Sequence, residues 1–101
     1  MRVIIAGSRT ITDYEFVKWA IEGAGLDITE VVSGAALGVD RLGERWAKEH
    51  GIPTKRFPAK WSDLTVPGAV IKDGAYGKYN AIAGHTRNQQ MADYAEALVE
   101  I

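Results

Sequence analysis

The feature that most constrains the fold is a glycine-rich stretch between a short β-branched run and a helical pattern. Residues 34–40 (GAALGVD) follow Glu30–Ser33 (EVVS) and lead into a helix-like run over residues 40–50. Glycine lets the backbone turn sharply and approach a ligand closely. Because a helix start adds partial positive charge, such a corner favours an anion, most often a phosphate. Residues 7–10 (GSRT), which follow the apolar Arg2–Ala6, have the same pattern. We call residues 7–10 the first glycine corner and residues 34–40 the second, and two such corners predict a nucleotide-like ligand.

Length and composition restrict the class of protein. The 101 residues are 47% hydrophobic and 25% charged with a net charge of −1, which is typical of a soluble globular protein. We therefore expect one domain over residues 1–101. The near-neutral charge makes nucleic acid an unexpected partner, since broad nucleic-acid binding usually needs a basic face.

Several kinds of site and location are not expected from this sequence. With no cysteine, disulfides, thiolate metal sites and cysteine nucleophiles are excluded. The His, Asp and Glu residues show no metal-ligand spacing, so we expect no metal and assign no cofactor. The apolar runs are too short to cross a bilayer and no signal-peptide pattern is present. We therefore expect a cytoplasmic protein that does not contact a membrane.

The pattern along the chain predicts the element order β-α-β-α-β-loop-α-β. The predicted strands are Arg2–Ala6, Glu30–Ser33, 52–58 and 97–101. The first predicted helix begins after a Thr12 N-cap, with Glu15 three residues on, and the other two helices cover 40–50 and 79–95. Residues 59–78 form a turn-rich connection. This order implies an α/β, Rossmann-like parallel sheet with strand order 3-2-1-4 and helices on both faces. Both glycine corners then fall at the carboxyl ends of the strands, where such sheets bind ligands.

Hydrophobic spacing predicts which residues pack in the core and which serve other roles. In the first predicted helix the expected apolar stripe is Phe16, Val17, Ala20, Ile21 and Ala24, with Gly25 ending the helix. In the second, Leu42, Trp46 and Ala47 have core spacing, whereas Glu44, Lys48 and Glu49 are typical of a solvated face. Trp61, Tyr76 and Tyr79 flank the long connection, where they either stack on a base or pack the loop.

Three separated segments carry a family resemblance. They are residues 3–9 (VIIAGSR), 33–42 (SGAALGVDRL) and 84–91 (GHTRNQQM). In this order they resemble the SLOG superfamily, and most closely the small YspA/YpsA-related proteins of bacteria and phages. The superfamily also includes LOG-type nucleotide phosphoribohydrolases and the DNA-processing protein DprA. The resemblance covers essentially the whole chain and implies a Rossmann-like fold with a nucleotide or nucleotide-derived ligand at the strand ends.

The resemblance also implies site residues. It assigns Gly7, Ser8 and Arg9 to one ligand corner, Gly34, Ala35, Gly38 and Asp40 to the other, and Arg87 and Asn88 to the place of an arginine-lysine pair in LOG-type enzymes. Each residue has a plainer interpretation as well. The glycines allow close packing, an aspartate caps a helix, a serine stabilises its own turn, and an arginine lies in solvent.

Two departures from the family leave activity open. Ala35 and Leu37 stand where relatives often have glycine and arginine, which removes one cationic contact. Relatives also continue past the last strand into a segment that supplies the hydrolases' catalytic glutamate, so we expect a C-terminally short version with no assigned catalytic residue. Glu100 lies near that strand end but outside the motif.

Four functions therefore remain in view. We expect nucleotide binding for sensing or sequestration, with the 59–78 connection covering the base. The alternatives are a LOG-type nucleoside-monophosphate N-glycosidase and a DprA-like DNA-processing module, besides a plain interaction domain. Leu98, Val99 and Ile101 on an uncovered last strand suggest a homodimer or a longer chain that shields it.

Overall fold

The structure has a parallel sheet with three helices and a separate hairpin. It is a computed structural model that describes residues 1–59, 71–74, 77–80 and 82–101. In chain order the elements are β1 (Arg2–Ala6), α1 (Tyr14–Gly23), β2 (Glu30–Ser33), α2 (Val39–Glu49), β3 (Thr54–Arg56), β4 (Ile71–Gly74), β5 (Gly77–Asn80), α3 (Ala83–Tyr94) and β6 (Ala97–Glu100).

The strand order of the sheet confirms the predicted topology. The order is β3-β2-β1-β6, and every pair in this four-stranded sheet is parallel. Ile4 of β1 lies level with Val32 of β2 on one side and Leu98 of β6 on the other. The chain leaves β1 toward β2 and later returns to its opposite edge, so the reversal point falls between β1 and β6 and the fold is the expected Rossmann-like α/β arrangement.

One face of the sheet packs against α1 and α2 to form the main core. Its fully buried side chains include Val3 and Ile5 from β1, Val17 from α1, and Val39 and Ala47 from α2. Strand side chains alternate between faces, so Ile4 and its neighbours in register point to the other face. The right-handed crossover rule places α3 there.

The edge strand β6 is only partly covered. Val99 is buried in the main core, whereas Leu98 is 54% exposed on the opposite face. At the other edge, β3 carries the exposed Lys55 and Arg56 between two prolines, which are features that protect a strand edge from pairing. The homodimer expected from the sequence stays a prediction.

Helix α1 differs from its prediction at both its cap and its apolar stripe. Asp13, not Thr12, is the N-cap, and its Oδ1 accepts a hydrogen bond from the amide of Phe16 at 3.3 Å. Both residue types cap helices well, so the sequence could not decide between neighbours. Phe16 and Ala24 are exposed rather than buried, because the buried stripe of α1 is Tyr14, Val17 and Ile21. Gly25 has φ +65° just beyond the helix end, as expected.

The connection before α3 contains strands that the sequence pattern did not predict. β4 and β5 pair antiparallel between residues 71 and 80, a stretch that we interpreted as turns because of its glycines. Helix α3 begins at Ala83 rather than residue 79, and Tyr79 lies in β5. Trp61 and Tyr76, proposed to cover a base, lie outside the described residues.

Tyr14 gives the fold a pH dependence in alkali. Burial, reinforced by the nearby Glu49 carboxylate, raises the pKa of Tyr14 to about 12, although the Arg45 guanidinium over its ring opposes this. The folded chain therefore keeps a proton that the unfolded chain loses near pH 10. We expect the free energy of unfolding to fall by about 1 kcal/mol between pH 10 and 11 from this group. Urea denaturation at pH 10 and pH 11 measures this change in the wild type and in Tyr14→Phe, which should lack it. An equal fall of the free energy of unfolding in both proteins would contradict the assignment.

Candidate functional site

The two glycine corners touch each other. A Cβ atom on Gly38 would lie 2.4 Å from the carbonyl oxygen of Ser8 and 2.6 Å from the carbonyl carbon of Arg9. Gly38 also has φ +75°, a conformation that side chains strongly disfavour. The amide of Val39 donates to the same Ser8 oxygen at 3.3 Å. The corners therefore lie side by side at the carboxyl edge of the sheet.

The absence of a side chain at Gly7 lets the first corner pack closely against two other parts of the chain. A Cβ there would lie 2.5 Å from the carbonyl oxygen of Ile101 and 2.8 Å from Cγ2 of Val39. The Ile101 amide in turn donates to the oxygen of Ala6 at 2.9 Å. Only glycine allows the end of β1, the start of α2 and the residue after β6 to approach this closely.

Arg87 of α3 reaches the second corner. Its Nη1 donates to the carbonyl oxygen of Gly34 at 2.7 Å. A Cβ on Gly34 would lie 2.6 Å from that Nη1 and 2.8 Å from Oδ2 of Asp40. Residues from β2, α2 and α3, far apart in sequence, thus meet at one corner. The structure brings Gly34, Asp40 and Arg87 together, although the sequence placed Arg87 apart from this corner.

The amides of the second corner are bound by the chain's own side chains. Ser33 Oγ accepts from the Ala35 amide at 3.0 Å, and Asp40 Oδ2 accepts from the Ala36 amide at 3.3 Å. Ala35 has φ +60°, which is uncommon for a residue other than glycine. The prediction that Asp40 is an N-cap is wrong, because Gly38 occupies that position. The Asp40 carboxylate accepts a hydrogen bond from the loop amide of Ala36 instead of from a helix amide.

Asp40 is a partly desolvated carboxyl of this corner. Burial raises its pKa above the ordinary value, and the nearby Glu44 adds to the rise. The hydrogen bond from Ala36 and the positive charge of Arg87 act in the opposite direction. The carboxylate is thus a partly desolvated negative charge held beside a positive one.

Glu44, Ser33 and Arg56 form a supporting network that the sequence analysis missed. Ser33 is 1% exposed, and its Oγ donates to Glu44 Oε2 at 2.5 Å. Arg56 Nε donates to the same oxygen at 3.2 Å. Glu44 therefore faces the corner rather than solvent. Its spacing of four residues from Asp40 places both on one helix face, which was the available signal.

The remaining predicted residues support or flank the corners. Asn88 Oδ1 accepts from Arg87 Nε at 2.7 Å, so it orients the guanidinium. Ser8 Oγ hydrogen-bonds the Thr10 hydroxyl at 2.7 Å and accepts from the Thr10 amide at 3.2 Å, which fixes its own turn. The Arg9 side chain is exposed, and none of the residues that the structure describes forms a hydrogen bond or ion pair with its guanidinium.

Both glycine corners lie in a segment that matches a known family. A family model described as the YspA, cpYpsA-related SLOG family (YAcAr) matches residues 1–63. The chain belongs to this SLOG family. Neither a curated protein nor a solved structure matches it significantly. The family match includes both glycine corners of this SLOG protein, whereas Arg87 and Asn88 lie beyond the matched segment.

In the described ranges of the SLOG chain, no group of three or more His, Cys, Asp or Glu residues is arranged to hold a metal ion. Within the same residues, no helix has the length and hydrophobicity needed to span a bilayer.

Alanine substitutions at two glycines compare a closely packed position with one that has open space around it. Gly38→Ala should lower the free energy of unfolding by about 3 kcal/mol, because it adds left-handed strain and a backbone clash that cannot relax. Gly23→Ala, whose Cβ would meet nothing within 4 Å, should raise it by about 0.5 kcal/mol. Urea denaturation measures both values. A Gly38→Ala variant as stable as wild type would contradict the contact between the corners.

The Asp40–Arg87 proximity predicts a titration shift. Because Arg87 holds the Asp40 pKa down against burial, Arg87→Met should raise it further. Arg45→Met serves as the control, since that guanidinium lies over the Tyr14 ring instead, and it should leave the Asp40 pKa unchanged. Carboxyl ¹³C NMR titration reads the pKa directly. An unchanged or lower value in Arg87→Met would show that the two charges do not interact.

Proposed function

We propose that the protein binds a nucleotide or nucleotide-derived small molecule at the carboxyl edge of its sheet. The observation that supports this most is the direct contact between Gly38 and the Ser8–Arg9 backbone. It makes the two corners parts of one surface rather than two separate turns. A ligand with several polar groups could then contact both corners at once.

The first corner has the groups that an anion requires. None of the described residues accepts a hydrogen bond from the backbone amides of Ser8 or Arg9, or from those of Leu37 and Gly38 beside them. Arg9 adds a guanidinium whose planar donors suit a phosphate or carboxylate. Arg87 contributes a second positive charge across the site. These groups support an anionic ligand despite the net charge of −1.

Catalysis by hydrolysis of an N-glycosidic bond is the second candidate. It requires a carboxylate near the ribose to stabilise a developing positive charge. Asp40 lies at the second corner and is partly desolvated, which favours this candidate more than Glu100, an exposed residue of β6. Binding without turnover stays our preferred function because no group at the corners is an evident general base for water.

Titration calorimetry with AMP, ADP-ribose, NAD and cyclic AMP tests the proposal. We expect binding of at least one nucleotide, and about tenfold or greater loss of affinity in Arg9→Met and in Arg87→Met, since a hydrogen bond to a charged group contributes about 1.5–3 kcal/mol. Arg45→Met removes a positive charge outside the corners and should bind as wild type does. Absence of heat with all four nucleotides would contradict the proposed function.

The same mixtures distinguish binding from turnover. Chromatography after overnight incubation should show intact AMP if the protein only binds it. Free adenine that disappears in Asp40→Asn but persists in Asp93→Asn, an exposed aspartate of α3, would establish the glycosidase instead.

A further inference from the structure

The second glycine corner already contains a negative charge. Asp40 Oδ2 accepts a hydrogen bond from the Ala36 amide, and the Gly34 amide also interacts with this carboxylate. The Ala35 amide donates to Ser33 Oγ. The Ala35 and Ala36 amides, two successive backbone donors that could hold a phosphate, are therefore occupied. A phosphate placed here would meet a carboxylate in a partly desolvated setting, where like charges repel strongly.

Beside this carboxylate lies a cationic donor. Arg87 Nη1 and Asp40 Oδ2 both lie within 3.0 Å of the place that a Cβ on Gly34 would take. Arg87 uses Nη1 and Nε for Gly34 and Asn88. Among the described residues Nη2 of Arg87 has no hydrogen-bond partner, and the Asp40 carboxylate, which interacts with the Ala36 and Gly34 amides, keeps further acceptor capacity. An acceptor and a donor of opposite charge thus remain side by side.

The chemistry that matches this pair is neutral and both donates and accepts. A hydroxyl group donates to a carboxylate and accepts from a guanidinium. Two adjacent hydroxyls can bridge both charges at once without adding charge of their own. The neighbouring side chains, Ala35 and Ala36, are small and carry no polar group that competes for these charges. A planar base gains most of its affinity by stacking on an aromatic ring, which these residues do not provide.

The first corner has the opposite character. Its cation, Arg9, is exposed, and the backbone amides of Ser8 and Arg9 lack acceptors among the residues described. It contacts the second corner through Gly38. One nucleotide could therefore place its phosphate at the first corner and its sugar at the second.

We propose that Asp40, together with Arg87, selects ligands that carry a vicinal diol, such as the 2′,3′-hydroxyls of ribose, while the phosphate binds at Ser8 and Arg9. This inference rests on the proposed function and assigns each corner to a different part of the ligand. It makes Asp40 a specificity-determining residue rather than a helix cap.

AMP and 2′,3′-dideoxy-AMP form the test pair, because they differ only in the diol. We expect the wild type to bind AMP at least tenfold more tightly than the dideoxy compound in calorimetry. Asp40→Asn should reduce this ratio to about threefold or less by weakening AMP. Asp93→Asn, which neutralises a carboxylate of α3, should keep the wild-type ratio. Thermal melting of each variant shows that it is folded.

The outcomes separate this inference from the proposed function. Equal affinity of the wild type for the two compounds would overturn the inference alone. So would a more than tenfold gain of dideoxy-AMP affinity in Asp40→Asn, since that would place phosphate at the second corner. Binding of cyclic AMP without AMP has the same meaning, because cyclic AMP lacks the vicinal diol. Absence of binding by every nucleotide would overturn both.

Discussion

The contact of Gly38 with the Ser8–Arg9 backbone is the constraint on which the site depends. It requires both a left-handed conformation and the absence of a Cβ, and it fixes the start of α2 against the end of β1. Without it the corners would be two ordinary strand-to-helix turns. The contact joins them into one polar surface, with parallel strands below and α3 reaching in from the opposite face.

The two corners of that surface differ in the charged and polar groups that surround their backbone amides. The second corner is held by Ser33, Glu44 and Asp40, which bind backbone and arginine donors around a buried hydroxyl. In the first corner Ser8 Oγ accepts from the Thr10 amide, but none of the described residues accepts from the amides of Ser8 and Arg9. A glycine loop at a strand end is commonly interpreted as a phosphate site, yet here the Ala35 and Ala36 amides of the second loop already have side-chain acceptors. The residue that decides the difference is Asp40.

Much of this could be predicted from the sequence, for physical reasons. Strand β1 is apolar on both faces, as central parallel strands are, and the alternation of strands and helices predicted the parallel sheet around it. The meeting of the corners followed because parallel strands end at a common edge. The sequence could not decide between Thr12 and Asp13 as a cap. It could not tell that Glu44 faces inward, since its partners Ser33 and Arg56 come from other strands. The β4–β5 hairpin was hidden by glycines that look like loop residues.

The packing of Gly7 has a practical consequence for labelling. The carbonyl of Ile101 lies 2.5 Å from where a Cβ of Gly7 would be, so anything attached after Ile101 emerges beside the first corner. Met1 lies at the opposite end of β1, where its amino group donates to the oxygen of Asp27 at 2.5 Å. A fluorophore joined at the carboxyl terminus should therefore sense occupancy of the corner, and an affinity tag at the amino terminus should leave it undisturbed.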